Sequence, residues 1–245
     1  MVSIYKEKFF RNLGVISKIE QEKLRKTEIA IVGLGGTGSA AFECLLRLGC
    51  ENFVLFDRDR FELTNFNRQL LATDETLDEK KINAAIARAK IINKNAKYLV
   101  YNEFDPKKIK KAKVVIDGTD NVETRITIAQ ACRKLRIPYV FCAASFANGM
   151  VSVFTDYELE RAFQLTAAVS SWPVASSNEL KANGQKLLAK YNTCFSVIAP
   201  ATMLAGTLAA SQTINYLLKK PFTEAPDVLF FDLSKKEMFW KKRLK

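Results

Sequence analysis

Histidine is absent from this sequence of 245 residues, and its absence removes several kinds of active site at once. A Ser-His-Asp triad, a Cys-His pair and a histidine general base all need an imidazole that this chain does not have. None of the cysteines forms a C-x-x-C pair, although there are five of them: Cys44, Cys50, Cys132, Cys142 and Cys194. Structural zinc sites are built from such pairs and from histidines, so the sequence predicts no zinc site.

The charged N-terminus also lacks the apolar segment of a signal peptide. Together with the odd number of scattered cysteines, this predicts a protein of the reducing cytoplasm. One stretch, 195–218, has no charged residue and is long enough to span a bilayer. Because it is rich in Ala, Ser, Thr and other small or polar residues, we expect a helix buried in the core or at a subunit interface, and no membrane span.

Acidic residues are outnumbered, since 38 Lys and Arg stand against 26 Asp and Glu and leave a net charge of +12. This excess favours acidic partners such as nucleotides, nucleic acid or an acidic protein, although it also serves solubility alone. With 48% hydrophobic residues, no internal repeat and no linker, residues 1–245 are predicted to form one domain.

Short apolar runs alternate with helical periodicity, which is typical of an α/β fold. Helices are predicted in an N-terminal arm at about 1–28, at 39–48, 78–93 and 121–135, and in the uncharged stretch. Strands are predicted at 28–32, 53–56, 98–101, 114–116, 138–142, 150–154, 228–231 and 238–240. A long excursion at about 156–194, with a helix near 179–190, interrupts this order. We therefore expect a Rossmann-like, mainly parallel sheet with helices on both faces and antiparallel strands at its C-terminal end.

A glycine-rich turn follows the first predicted strand. Gly33, Gly35 and Gly38 match G-x-G-x-x-G between a strand and a helix. The first glycine permits the tight turn, the second lets phosphate approach the backbone, and the third allows close packing of helix on strand. Asp57 ends the next strand, where it can accept hydrogen bonds from a ribose or simply serve as a turn or cap residue. Up to this point NAD and ATP fit equally well.

The residues after Asp57 favour a triphosphate. Arg68 can donate two hydrogen bonds to phosphate oxygens, Asn65 and Asn67 can donate from their amides, and Lys81 adds a point charge. A second polar segment, 117–121, follows the strand at 114–116. A carboxylate at that edge of a parallel sheet, beside phosphates, is a natural ligand for Mg²⁺.

These motifs together resemble the ThiF/MoeB/HesA superfamily, the relatives of ubiquitin-activating enzymes. The matching stretches are 31–39 with the glycine turn, Asp57-x-Asp59, Asn65-x-Asn67-Arg68-Gln69, Lys81, Asp117-x-x-Asp120-Asn121 and Thr124-Arg125. The resemblance implies an adenylyltransferase in which a carboxylate attacks the α-phosphate of ATP. The usual partner is a small ubiquitin-like or sulfur-carrier protein ending in Gly-Gly.

The resemblance also assigns roles to single residues. It implies that Gly35 and Gly36 face the nucleotide, that Asp57 meets the ribose, and that Asn65, Arg68 and Lys81 meet the phosphates. Asp120 would hold Mg²⁺ with Asn121 beside it. Members of the superfamily are usually homodimers in which an N-terminal arginine reaches the ATP of the partner, and Arg11 is the candidate in this chain.

One departure from the superfamily pattern concerns zinc. Many relatives carry zinc-binding C-x-x-C pairs, so this chain is expected to be a zinc-free variant. Some relatives use a cysteine to form a thioester or persulfide after adenylation. Cys194, beside the predicted N-terminus of the uncharged helix, is the candidate for that role, and Cys142 is a second one; either can instead be an inert core residue.

Three other functions remain open at this stage. One is adenylation of a modified tRNA nucleoside, as in threonylcarbamoyladenosine dehydratases, which suits the positive charge. Another is an NAD-dependent oxidoreductase, against which the Asn, Arg and Lys side chains argue. The last is a non-catalytic subunit that keeps the fold, and the presence of Arg68, Lys81 and Asp120 argues against it.

Overall fold

The computed structural model describes residues 4–163 and 196–244 of the chain. These ranges contain the strands β1 (Glu28–Val32), β2 (Asn52–Phe56), β3 (Lys97–Tyr101), β4 (Val114–Asp117), β5 (Tyr139–Ser145), β6 (Asn148–Phe154), β7 (Asp227–Asp232) and β8 (Phe239–Arg243). They form one sheet in the order β3-β2-β1-β4-β5-β6-β7-β8. The strands from β3 to β5 in this order are parallel, and β6, β7 and β8 pair antiparallel. The predicted sheet is confirmed.

The described helices are α1 (Ile4–Lys8), α2 (Lys18–Lys26), α3 (Gly36–Arg47), α4 (Lys81–Ile92), α5 (Val122–Leu135), α6 (Leu159–Phe163) and α7 (Ala199–Leu217). Two of them begin at a side chain that caps the helix. The hydroxyl of Ser17 accepts a hydrogen bond from the backbone amide of Glu20, and the side-chain oxygen of Asn121 accepts one from the backbone amide of Thr124. The helix predicted near 179–190 lies outside the described residues.

The register of the central strands brings their carboxyl ends to the same level. Val32 of β1 pairs with Phe56 of β2 on one side and with Asp117 of β4 on the other. The residues that follow these strands therefore emerge together at one edge of the sheet, which is where open α/β sheets bind their ligands.

Alternate side chains of β1 point to two separate hydrophobic clusters. Ile29 and Ile31 pack with α3, α4 and α7 on one face, whereas Ala30 and Val32 pack with α5 and α6 on the other. A strand buried on both faces explains the continuous apolar run at 29–32. It also confirms that helices cover both faces of the sheet.

The uncharged stretch forms α7, which is buried against α3, β5 and β6. A Cβ atom added at Gly206 would lie 2.2 Å from the carbonyl oxygen of Thr37, so the glycine allows the two helices to approach closely. The expectation of a buried helix is thus confirmed. None of the helices within 4–163 and 196–244 combines the length and hydropathy needed to cross a membrane.

Candidate functional site

The turn after β1 is held by a contact among three glycines. Gly33 has φ of +85°, and its amide donates to the carbonyl of Phe56 at 2.8 Å. A Cβ at Gly38 would lie 1.8 Å from the carbonyl oxygen of Gly33, and one at Gly118 would lie 2.7 Å from the same oxygen. Side chains at these positions would push apart α3 and the ends of β1 and β4, so the packing of the protein itself demands Gly38 and Gly118.

Gly35 differs from these glycines because no such packing surrounds it. A Cβ added there would meet only the side chain of Gln69, at 3.8 Å. Gly35 lines a cavity, and so does Gly36, which packs against Thr202. The space in front of Gly35 is what a phosphate needs in order to reach the N-terminus of α3.

The cavity has a volume of about 580 Å³, which is within the usual range for small-molecule sites. It lies beyond the carboxyl ends of β1, β2, β4 and β5. Of the residues predicted for the site, those that line it are Gly33, Gly35, Gly36, Asp57, Asp59, Arg68, Gln69, Lys81, Asp120 and Asn121. Those that do not line it are Gly38, Asn65, Asn67 and Arg11.

Asp57 is fixed by the glycine turn. One carboxylate oxygen accepts a hydrogen bond from the amide of Leu34 at 2.6 Å, and the other accepts one from the amide of Asp59 at 2.8 Å. Burial raises the pKa of Asp57, although these hydrogen bonds and the charge of Lys81 act in the opposite direction. Each oxygen keeps one further lone pair, so the carboxylate is able to accept a pair of vicinal hydroxyls.

Lys81 reaches the cavity because two distant segments pair there. The amide of Phe61 donates to Glu79, and that of Lys81 donates to Asp59 at 3.0 Å, which ties the loop after β2 to the start of α4. The ammonium of Lys81 is nearly buried and bonds to the carboxylate of Asp59 at 3.1 Å. Asp59 thereby orients the ammonium group along the cavity wall.

The segment 63–69 places Arg68 and Gln69 at the cavity and the two asparagines elsewhere. The side chain of Asn65 accepts a hydrogen bond from the amide of Glu62, and Asn67 donates to the carbonyl of Val197 at 2.9 Å. These side chains hold the segment in place. Neither Asn65 nor Asn67 lines the cavity, so the structure does not bring them to the position predicted for the phosphates. Arg68 is partly buried, lines the cavity, and donates to the carbonyl of Thr64 at 2.6 Å.

The loop after β4 places Asp120 at the cavity, and hydrogen bonds hold the residues just before it. Asp117 is fully buried, and its carboxylate accepts hydrogen bonds from the amide and hydroxyl of Thr119 at 2.8 and 2.6 Å. Asn121, the next residue after Asp120, caps α5. Asp120 itself is exposed and lines the cavity.

Of the two candidate cysteines, only Cys142 lies within the described residues. Cys142 is fully buried, does not line the cavity, and donates its thiol hydrogen to the carbonyl of Asp117 at 3.1 Å. Burial raises the pKa of its thiol to about 12, so Cys142 is not a reactive nucleophile. Cys194 lies outside the described residues, and its role stays a prediction.

Sequence reasoning missed one wall of the cavity. Asn102, Glu103 and Phe104 line it, directly after β3. Open α/β sheets bind ligands at the carboxyl ends of their strands. This rule predicts a site residue after β3 just as it predicts Asp57 after β2, so the sequence did contain a signal for this loop. Small residues after the middle of β5, Ala143 and Ala144, form another part of the lining.

Residues 9–245 match the ThiF family. The chain belongs to this family. Curated relatives include the molybdopterin-synthase adenylyltransferase of Haemophilus influenzae, which is 36% identical over 140 residues, 55% of this chain and 58% of that protein. The sulfur carrier protein ThiS adenylyltransferase of Escherichia coli is 29% identical over 217 residues, 86% of this chain and 80% of that protein.

A third relative is the tRNA threonylcarbamoyladenosine dehydratase of Bacillus subtilis, 32% identical over 138 residues, or 54% of this chain and 54% of that protein. The alignments with the first and third relatives span little more than half of their lengths. Among solved structures, E. coli MccB with ATP matches with a TM-score of 0.72 at 18% identity, covering 92% of this chain and 66% of that one. At this identity the likeness concerns the fold.

Proposed function

We propose that this ThiF-family chain uses ATP to adenylate the C-terminal carboxylate of a small ubiquitin-like or sulfur-carrier protein ending in Gly-Gly. The observation that carries the proposal is the open backbone at Gly35, surrounded in one cavity by Asp57, Arg68, Lys81 and Asp120. The names of two relatives support this class of reaction, since both are adenylyltransferases and one acts on a sulfur carrier protein.

The reaction needs positioned charges rather than a base. A carboxylate oxygen of the carrier attacks the α-phosphorus, the bond from that phosphorus to the bridging oxygen breaks, and pyrophosphate leaves with its electron pair. Arg68 and Lys81 would neutralise charge on the phosphates, and Asp57 would hold the ribose. The nucleophile is already ionised at neutral pH, which agrees with a chain that has no histidine.

Asp120 fits the role of a Mg²⁺ ligand. Within residues 4–163 and 196–244, no group of three or more Cys, Asp or Glu side chains is placed to hold a metal. Mg²⁺ in nucleotide sites is commonly held by one or two carboxylates together with the phosphates, and it keeps several waters. When bound, it would offset charge on the leaving pyrophosphate.

The test is isotope exchange between pyrophosphate and ATP. We expect exchange only when a carrier with a C-terminal Gly-Gly is added, because the carboxylate must attack before pyrophosphate is released. A carrier lacking those two glycines is the matched control. Exchange stimulated by tRNA in place of the carrier would favour the reaction class named for the Bacillus subtilis relative. Binding of NAD without affinity for ATP would contradict both.

The pH dependence of ATP binding offers a second test. The ionised carboxylate of Asp57 accepts hydrogen bonds from the ribose, and burial raises its pKa. Binding favours the ionised form, so affinity is fully present above the raised pKa and is lost as the pH falls through it. Calorimetric titration in EDTA should show this loss for the wild type. The variant Asp57→Asn should bind more weakly and with a flat pH profile; a wild-type profile in that variant would remove Asp57 from the site.

The proposal includes a homodimer in which Arg11 contacts the nucleotide of the partner subunit. Arg11 is exposed in the 3₁₀ turn Phe10–Asn12 and does not line the cavity of its own chain. A contact between Arg11 and ATP would therefore have to cross a subunit interface. A later thioester at Cys194 and a cytoplasmic location likewise belong to the proposal.

A further inference from the structure

A buried polar cluster made of Asp117, Arg125 and Tyr139 adjoins the cavity, which Arg125 also lines, and the adenylation chemistry does not itself use it. Asp117 and Tyr139 are almost completely inaccessible to solvent, with exposures of 0% and 1%. A buried carboxylate is costly unless hydrogen bonds satisfy it. The hydrogen-bond donors to each of the two Asp117 oxygens therefore show which residues the cluster holds in place.

The two oxygens of Asp117 have different partners. One accepts the amide and the hydroxyl of Thr119, the residue directly before Asp120. The other accepts the hydroxyl of Tyr139 in a short hydrogen bond and lies 3.5 Å from Arg125. The guanidinium makes shorter contacts to the carbonyl oxygens of Cys142, at 2.9 Å, and of Thr119. Tyr139 and Arg125 therefore both donate to this oxygen.

The Tyr139 hydroxyl keeps its hydrogen at neutral pH, as a tyrosine ordinarily does. Burial, and then the adjacent carboxylate of Asp117, raise the pKa of Tyr139 well above its usual value. The donor is thus permanent, and it fixes the carboxylate from the side opposite to Thr119. Asp120 extends from this anchored base, and the cap made by Asn121 fixes the other end of the loop.

We propose that Tyr139 is a positioning residue for the metal-binding carboxylate of Asp120, acting through Asp117 and Thr119. The inference rests on the proposed function, because it assumes that Asp120 binds Mg²⁺ together with ATP. Residues that hydrogen-bond a metal ligand directly typically change metal affinity by about 10- to 100-fold when they are removed. Tyr139 acts through Asp117 and Thr119, so we expect a change near the lower end of this range. A role in packing alone would affect stability and not the requirement for Mg²⁺.

The variant Tyr139→Phe removes the hydroxyl and keeps the ring, whose centroid lies 5.9 Å from that of Phe154. ATP binding is measured by calorimetry or with a fluorescent ATP analogue, first in EDTA and then across a Mg²⁺ titration. We expect the Mg²⁺ concentration at half-saturation to rise about tenfold, while the affinity in EDTA stays at the wild-type value. An unchanged Mg²⁺ requirement in folded Tyr139→Phe overturns the inference.

Tyr5→Phe is the matched control, because it removes another buried hydroxyl, bonded to Gly49 and Gln21 and remote from the cavity. It should keep the wild-type Mg²⁺ requirement. If Tyr139→Phe does not fold, Thr119→Val tests the same chain of contacts, and Thr119→Ser, which retains the hydroxyl, should restore the wild-type value. A wild-type protein that binds no ATP at any Mg²⁺ concentration refutes the proposed function itself, and the inference with it.

Discussion

Replacement of Asp120 by alanine is expected to lower carrier-dependent exchange of pyrophosphate into ATP by a factor of about 10² to 10³. The reason is that Asp120 contributes a carboxylate to the cavity at the end of an anchored loop. The loop itself is held by Thr119 and Asn121, so the free energy of unfolding should change by less than about 0.5 kcal/mol. Initial exchange rates and thermal unfolding, measured on the same preparation, separate the two effects.

Two further variants make the result specific. Asp120→Asn keeps the shape of the side chain and removes its charge, so its loss of exchange should approach that of the alanine variant. Asp74→Ala removes an exposed carboxylate in the 3₁₀ turn Asp74–Thr76, away from the cavity, and should exchange at the wild-type rate. If Asp120→Ala exchanged pyrophosphate as fast as the wild type, Asp120 would have no part in the reaction.

The second large effect concerns two glycines three residues apart in one turn. Gly38→Ala should destabilise the protein by about 3 kcal/mol, because its Cβ would lie 1.8 Å from the carbonyl oxygen of Gly33. Gly35→Ala should cost about 1 kcal/mol, since its Cβ meets only Gln69 at 3.8 Å, but it should weaken ATP binding about a hundredfold. Thermal unfolding without ligand and ATP titration distinguish the two outcomes.

The two glycine variants are each other's control. A methyl group at Gly35 occupies space that the structure leaves open towards the cavity, and one at Gly38 occupies space that the protein fills. Wild-type ATP affinity in Gly35→Ala would show that no phosphate approaches the backbone at that residue. Wild-type stability in Gly38→Ala would contradict the close packing of α3 against the turn.

Local patterns were sufficient to predict the fold and part of the site. The glycine turn, the strand before it and Asp57 are neighbours in sequence, and their spacing fixes their geometry. The order of strands and helices also predicted a mainly parallel sheet. Helix α3 begins at Gly36, three residues before the predicted start, because Gly35 takes the N-cap position and small residues follow it.

The contacts between distant segments could not be predicted from the sequence. Nothing in the residues near Lys81 shows that its ammonium pairs with Asp59, 22 positions earlier, since backbone pairing of the two segments creates that contact. In the same way, the amide of Asn67 suits a phosphate as well as it suits the carbonyl of Val197. The chemical type of a side chain limits what it can bind, and only the fold selects the partner.

The hydrogen bonds that hold Arg68 have a consequence for the order of assembly. Its carbonyl accepts the hydroxyl of Thr202, 134 positions later, while the neighbouring Asn67 bonds to Val197 across 130 positions. Closing such long chain segments is slow and comes late in folding. On a ribosome, β1, α3 and β2 emerge well before Val197 and Thr202 do. The residues of the glycine turn are therefore synthesised long before the partners of Asn67 and Arg68, and the arginine side of the cavity is completed only when α7 has been synthesised.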